Sequence, residues 1–188
     1  MTTLRAFVFS LLCLFAGSPF FPAAAQDTLG DAPIEAFFGR YSGQAISSMD
    51  EGLSKRDLSV EIKDAGYGGF ILDWITITRD EAGDRKRKSY SITFRPAQRN
   101  GIFGSAMRRD KFGNAVPLDP LTGDPYVWAR IQGKTLTVHA LHITQDGGYE
   151  MQVYDRTLVP GGMELRFSRI RDGKQLKLLT GTLVRFDG

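Results

Sequence analysis

The chain has 188 residues, with 24 Lys and Arg against 21 Asp and Glu, and its composition is 42% hydrophobic and 24% charged. These proportions are typical of one folded domain with a hydrophobic core, and they exclude a disordered or collagen-like chain. The single cysteine excludes an intrachain disulfide framework and any multi-cysteine metal site, while a formal net charge of +3 is too small to indicate nucleic-acid binding.

Residues 1–25 contain the three parts of a secretory signal peptide. Arg5 precedes an apolar run over 6–17, and three alanines at 23–25 supply an A-x-A cleavage site. The run is shorter than the roughly 20 residues that cross a bilayer. The sequence therefore predicts cleavage at the end of this segment and a periplasmic or secreted product without a transmembrane anchor. Cys13 lies inside the apolar run, so the mature chain is predicted to be cysteine-free.

After a polar lead-in over 26–36, nearly every segment alternates between apolar and polar residues. In SYSITFR, for example, Tyr90, Ile92 and Phe94 share one face and polar residues share the other, which is typical of a strand half buried in an antiparallel sheet. Nine strands are predicted, with a possible tenth at Ile102–Met107: Phe37–Ser47, Asp57–Lys63, Phe70–Arg79, Lys88–Pro96, Tyr126–Gln132, Lys134–Thr144, Gly148–Leu158, Met163–Arg171 and Gln175–Phe186.

The turns between these strands predict consecutive hairpins. Asp172-Gly173 lies between two alternating runs and is a strong signal for a two-residue hairpin loop with positive φ. A long meander tends to close because closure removes its edge strands. We therefore predict an all-β fold: an antiparallel up-and-down meander closing into a small barrel of about 8–10 strands, which is favoured over a sandwich. The barrel domain spans 37–188 and carries a long loop over 97–125.

The start of the domain is similar to the first strand of the lipocalins and their calycin relatives. That strand carries a G-x-W motif at the closed end of the barrel, and an Arg or Lys of the last strand packs over it. Here Gly39 and Tyr41 match the motif with Tyr in place of Trp, and Arg185 is in the position of the cation. The resemblance implies a small barrel that holds an apolar ligand.

The predicted function is that of an exported binding protein for an apolar or amphipathic ligand such as a lipid. The long loop would act as a lid over the barrel interior. The residues predicted to line the interior are Tyr90, Ile92, Phe94, Trp128, Val138, His142, Met151, Val153, Leu165 and Phe167.

Few residues indicate chemistry. His139 and His142 lie three apart on one strand, so alternation predicts that His142 faces inward and His139 outward, and they do not form a metal site together. Asp73 faces either inward with Ile71 and Ile75, where burial would make it a candidate acid, or outward into water. No cofactor, metal or catalytic residue is predicted; a cofactor-free enzyme using Asp73 and His142 remains a third alternative.

Two basic clusters lead to a second functional hypothesis, an interaction module of the cell envelope. In that alternative the barrel is filled by its own side chains, holds no ligand, and presents its loops to a surface or protein, for example as a protease inhibitor. The clusters consist of Arg85, Lys86, Arg87 and Lys88, and of Arg108, Arg109 and Lys111. The size of the interior cavity separates this alternative from the ligand-binding one.

Overall fold

The structure is a computed structural model that describes residues 30–47, 55–79, 84–105, 108–109, 111–112, 115–116 and 118–186. The predicted signal peptide lies outside the described residues. The described part contains the strands β1 (Gly39–Ser47), β2 (Lys55–Gly66), β3 (Gly69–Arg79), β4 (Arg85–Pro96), β5 (Ile102–Ser105), β6 (Arg108–Arg109), β7 (Ala115–Val116), β8 (Tyr126–Gln132), β9 (Thr135–Ile143), β10 (Tyr149–Val159), β11 (Gly162–Arg171) and β12 (Lys174–Phe186). Short 3₁₀ helices span Ile34–Phe37 and Pro120–Thr122.

Ten of the strands form a closed antiparallel barrel in the order β1-β12-β11-β10-β9-β8-β5-β4-β3-β2. The predicted all-β meander and its closure into a small barrel are thus confirmed. The tenth strand is β5, which lies within the predicted long loop and joins β4 to β8. The remaining two strands, β6 and β7, form a separate two-stranded sheet between β5 and β8. Within the described residues, no helix is long and apolar enough to cross a membrane.

The core lies in one half of the barrel interior. The rings of Phe70 and Phe94 stack with centroids 4.8 Å apart, and the ring of Phe103 meets Phe70 edge-on at 5.2 Å. Leu72 and Leu136 are fully buried beside them. Alternation places these side chains inward from neighbouring strands, as expected for a sheet with a single buried face.

The hairpin between β11 and β12 has the predicted turn. Asp172 and Gly173 have φ values of 46° and 79°, and they are the only residues between the two strands. Positive φ at both central positions is the signature of a type I′ turn, whose twist matches that of the flanking strands.

One end of the barrel, which we call the closed end, is covered by the helix Ile34–Phe37. Phe37 and Tyr41 are fully buried, and the Tyr41 hydroxyl donates a hydrogen bond of 2.9 Å to the carbonyl oxygen of Phe37. The guanidinium of Arg185 lies 5.7 Å from the Tyr41 ring centroid and donates to the carbonyl oxygen of Phe38. Gly39 lies against this guanidinium: a Cβ atom there would be 2.8 Å from Arg185 Nε.

Candidate functional site: a cavity at the open end

The opposite half of the interior, at what we call the open end, is not filled. It holds a cavity of about 540 Å³ between β2, β3 and β4 on one side and β10, β11 and β12 on the other. The mouth lies beside the hairpin that joins β3 to β4, where Asp84 and Arg85 border the cavity. A cavity of this volume is in the range of small-molecule sites. It favours the ligand-binding hypothesis over the alternative of a filled barrel.

Aromatic rings form a continuous band along the cavity. Trp74 of β3 stacks on Tyr90 of β4 with centroids 4.9 Å apart and an interplanar angle of 22°. The Trp74 ring also lies 5.8 Å from Tyr154 of β10, which in turn lies 4.6 Å from Phe167 of β11. The register places all four side chains on the inner face, so the band crosses the interior from one wall to the other. We refer to these four residues as the aromatic band.

A buried arginine lies beside this band. Arg156 of β10 is 2% exposed and borders the cavity, with its guanidinium carbon 5.8 Å from the Trp74 centroid and 5.7 Å from that of Tyr154. Its Nε and Nη1 atoms have no hydrogen-bond partner among the described residues. The Nε atom of Arg56, which also borders the cavity, is likewise buried and unpaired in the described structure.

Burial shifts the pKa values of Arg156 and Tyr154 in opposite directions. It lowers the pKa of the Arg156 guanidinium to about 10, because a charged group loses its hydration inside the barrel. It raises the pKa of the Tyr154 hydroxyl to about 12, although the neighbouring positive charge of Arg156 opposes this increase. At neutral pH the cavity therefore presents a neutral phenol and a cation.

Nearer the mouth, a second arginine is neutralised by the protein itself. Arg169 Nη2 lies 2.5 Å from Glu150 Oε2, and Glu150 Oε1 accepts a 2.8 Å hydrogen bond from Gln152 Nε2. Gln152 Oε1 in turn accepts a bond of 2.9 Å from the Tyr154 hydroxyl. Burial opposes ionisation of Glu150, but the hydrogen bonds from Arg169 and Gln152 hold its pKa below the usual value. Arg156 takes no part in this network of hydrogen bonds.

The structure brings some of the predicted lining residues to the cavity and places others elsewhere on the inner face. Tyr90, Leu165 and Phe167 border the cavity. Four further residues lie on the inner face without bordering it: Ile92, Phe94, Val138 and His142. Phe94 and Val138 belong to the packed core, and Ile92 packs against that core.

Three predicted lining residues lie on the outside of the barrel. Trp128, Met151 and Val153 have the opposite parity to the inward-facing residues of β8 and β10, and Trp128 stacks on His139 with centroids 4.7 Å apart. The prediction placed the apolar face of β10 inward. The inner face instead carries Glu150, Gln152, Tyr154 and Arg156, because it borders the cavity and not the core.

The two histidines lie on the predicted faces. His142 is inward and pairs across strands with Glu150. His139 faces outward and stacks on Trp128. Burial, and to a smaller extent the positive charge of Arg130, lower the pKa of His139.

Asp73 lies on the outer face, which corrects the buried-acid alternative. Phe70 and Leu72 of β3 are fully buried and mark its inward face, and Asp73 has the opposite parity. Asp73 Oδ2 lies 2.7 Å from Lys63 Nζ. Although burial opposes its ionisation, hydrogen bonds from Lys63 and Ser91 hold its pKa below the usual value.

The first basic cluster is divided between the two faces of β4. Arg85, Lys86 and Lys88 border the mouth of the cavity, while Arg87 pairs with Ile77 on the outer face. In the second cluster, Arg108 and Arg109 form β6, and Lys111 lies 5.0 Å above the ring of Phe112. No described residue of the segment 106–125 borders the cavity, so a lid role for the long loop stays a prediction.

A larger concavity, of about 1070 Å³, lies against the outer face of the barrel. Its walls are mainly hydroxyl, amide and charged side chains: Gln44, Arg130, Gln132, Thr135, Thr137, Asp155, Thr157, Glu164, Arg166, Thr180 and Thr182. Small-molecule sites are typically enclosed and lined in part by aromatic side chains, which describes the inner cavity with its aromatic band better than this groove. Within the described part of the chain, no group of three His, Cys, Asp or Glu side chains is placed to hold a metal ion.

Comparison with known proteins supports the fold. No family model matches the sequence, and no curated protein matches it either. Among solved structures, the chain is similar to the S-type phycobiliprotein lyase CPES from Guillardia theta, with a TM-score of 0.53 and 12% sequence identity. The match covers 82% of this chain and 91% of the lyase. At this identity the similarity shows a shared barrel architecture.

Proposed function

We propose that this protein binds an apolar or amphipathic small molecule in the cavity at the open end of its barrel. The supporting observation is the cavity itself, about 540 Å³ in volume and bordered by the four rings of the aromatic band. Burying about 300 Å² of apolar ligand surface contributes roughly 7 kcal/mol towards binding, and the cost of ordering the ligand is subtracted from this value. No covalent chemistry is needed for such a function.

Two further observations support a calycin-like binding barrel. The closed end has the arrangement that the resemblance implies, with Arg185 packed over Tyr41 and against Gly39. The phycobiliprotein lyase shares the barrel over most of both chains. The lyase supports the architecture, whereas the ligand of this chain is argued from the cavity alone.

Native mass spectrometry of the protein purified without denaturation tests the proposal. We expect a bound small molecule of defined mass in the wild-type protein. Thr76→Trp should remove it, because Thr76 borders the cavity and an indole there would occupy its space. Ile77→Trp is the matched control, since the next residue of β3 pairs with Arg87 on the outer face. Equal ligand retention in the two folded variants would contradict the proposal.

We also propose that the protein is exported, on the basis of the signal-peptide pattern in residues 1–25. Cell fractionation followed by N-terminal sequencing tests this. The expected product begins at Gln26 and is found outside the cytoplasm. A protein that keeps Met1 and stays in the cytoplasm would contradict export without affecting the cavity.

A further inference from the structure

Arg156 is buried, and two of its guanidinium nitrogens have no partner among the described residues. A buried guanidinium is normally paired with a carboxylate or surrounded by carbonyl oxygens, because an unpaired buried charge is strongly unfavourable. Here the side chain is 2% exposed, and two of its three nitrogens have no partner in the described structure. The rings of Trp74 and Tyr154 stabilise the cation through cation–π contacts. Such contacts do not replace oxygen acceptors for the N–H groups of the guanidinium.

The nearby carboxylates do not fill this role. Glu150 is bonded to Arg169 and Gln152, nearer the mouth of the cavity. Asp155, the sequence neighbour of Arg156, lies on the outer face and accepts a hydrogen bond of 2.8 Å from Thr137. Arg156 thus borders a cavity with aromatic surface and has no carboxylate partner among these residues.

The charge around the mouth is mainly positive, although Asp84 also borders it. Arg85, Lys86 and Lys88 border the entrance on one side, and Arg56 contributes another buried and unpaired Nε. Clefts lined by one sign of charge attract ligands of the opposite sign. The electrostatics of the entrance and of the interior therefore both select for anions.

We infer that the ligand is an amphipathic organic acid, whose carboxylate or phosphate binds the guanidinium of Arg156 while its apolar body lies on the aromatic band. This inference rests on the proposed ligand-binding function and names the chemical class of the ligand. Guanidinium groups bind both acids through paired N–H···O bonds, so the two share the recognition chemistry. The acid would neutralise the guanidinium of Arg156, and the rings would remove the apolar body from water.

Isothermal titration calorimetry with four probes of equal chain length tests the inference: decanoate, decyl phosphate, decanol and decyltrimethylammonium. The wild-type protein should bind at least one of the two acids more tightly than the alcohol and the cation. The tighter acid identifies which of the two groups the site prefers. Arg156→Met should weaken binding of that acid by roughly 10- to 100-fold, the range expected for hydrogen bonds to a charged group, and should change decanol binding little.

Arg166→Met is the matched control. Arg166 lies on β11 with its side chain at the outer groove, so its removal changes the net charge by the same amount without touching the cavity. Arg156→Lys serves as a second cavity variant, which keeps the charge but loses the planar fork. It should retain part of the preference for the acid, and circular dichroism identifies the folded variants.

The outcomes separate the inference from the proposed function. If decanol and the cation bind as tightly as the acids, or if Arg156→Met and Arg166→Met have equal effects on acid binding, the ligand is not an acid held by Arg156. The barrel then remains a binding protein for apolar molecules. If none of the four probes binds the wild-type protein, the inference and the proposed function are both contradicted.

Discussion

The two ends of the barrel each place an arginine beside an inward-facing tyrosine, with opposite results. At the closed end, Arg185 lies over Tyr41, donates to the carbonyl oxygen of Phe38, and remains exposed to solvent. At the open end, Arg156 lies beside Tyr154, is buried, and has two nitrogens without partners in the described structure. The closed end satisfies its polar groups within the chain. At the open end the buried Arg156 lacks such partners in the described part of the chain, which is the pattern expected of a binding site.

The largest effect expected from this difference is on stability. Tyr41→Ala should lower the free energy of unfolding by about 3–5 kcal/mol, because it removes a fully buried ring and the hydrogen bond to Phe37. Tyr154→Ala should cost less, since its ring already borders a cavity. Urea denaturation of the two variants measures both values. Equal losses would show that the open end is packed as tightly as the closed end.

A smaller effect is expected at Gly39. Gly39→Ala should destabilise the fold by about 1–3 kcal/mol, because Gly39 has a φ of 145° and its new Cβ would collide with Arg185 Nε. Gly104→Ala provides the control, since nothing lies within 4 Å of a Cβ at that position. Thermal unfolding of the two variants tests the prediction, and a Gly39→Ala variant as stable as the control would refute it.

Replacing the arginine should destabilise the protein at the closed end but not at the open end. Arg185→Met should lower the free energy of unfolding by about 1 kcal/mol, through loss of the cation–π contact and the bond to Phe38. Arg156→Met should leave it unchanged or raise it, because removing an unpaired buried charge relieves its desolvation. Denaturation of the ligand-free variants is the measurement. A large loss of stability in Arg156→Met would mean that the chain itself satisfies this residue.

The smallest expected effect is spectroscopic. Since burial raises the pKa of Tyr154 to about 12 from an unfolded value near 10, the protonated phenol contributes stability below about pH 10, and this contribution is lost as the pH rises towards 12. Absorbance titration of tyrosinate should show a component near pH 12 that Tyr154→Phe removes. Arg156→Met should shift this component to higher pH, because the guanidinium charge lowers the Tyr154 pKa. An unshifted component would indicate that the two groups do not interact.

Much of the fold could be predicted from the sequence because alternation and turn residues act locally. The segment Tyr126–Gln132 forms a strand with the predicted bounds, and Asp172-Gly173 forms the predicted turn. The pairing of Arg185 with Tyr41 could be predicted only through the resemblance, since the two residues are 144 positions apart. The short strand β5 was uncertain because Gly104 interrupts its pattern and it has few residues.

The site was less predictable because the prediction assumed that the apolar face of each strand points into the barrel, and this does not hold beside a cavity. In β10 the apolar Met151 and Val153 face outward, while Tyr154 and Arg156 face the interior. A hydrophobic pattern identifies the face that contacts a packed core, and here the inner face borders empty space. The signal available in the sequence was the alternation of Glu150, Gln152 and Arg156 along β10. That signal predicts a polar site only when the barrel is already known to be closed.

The most direct test of the contrast between the ends is a crystal structure of the protein purified without denaturation. We predict electron density for one small molecule in the open-end cavity, with an acidic group within about 3 Å of Arg156 and an apolar body along Trp74 and Tyr154. A cavity holding only ordered water, or an Arg156 side chain turned to bond a carboxylate of its own chain, would contradict the account.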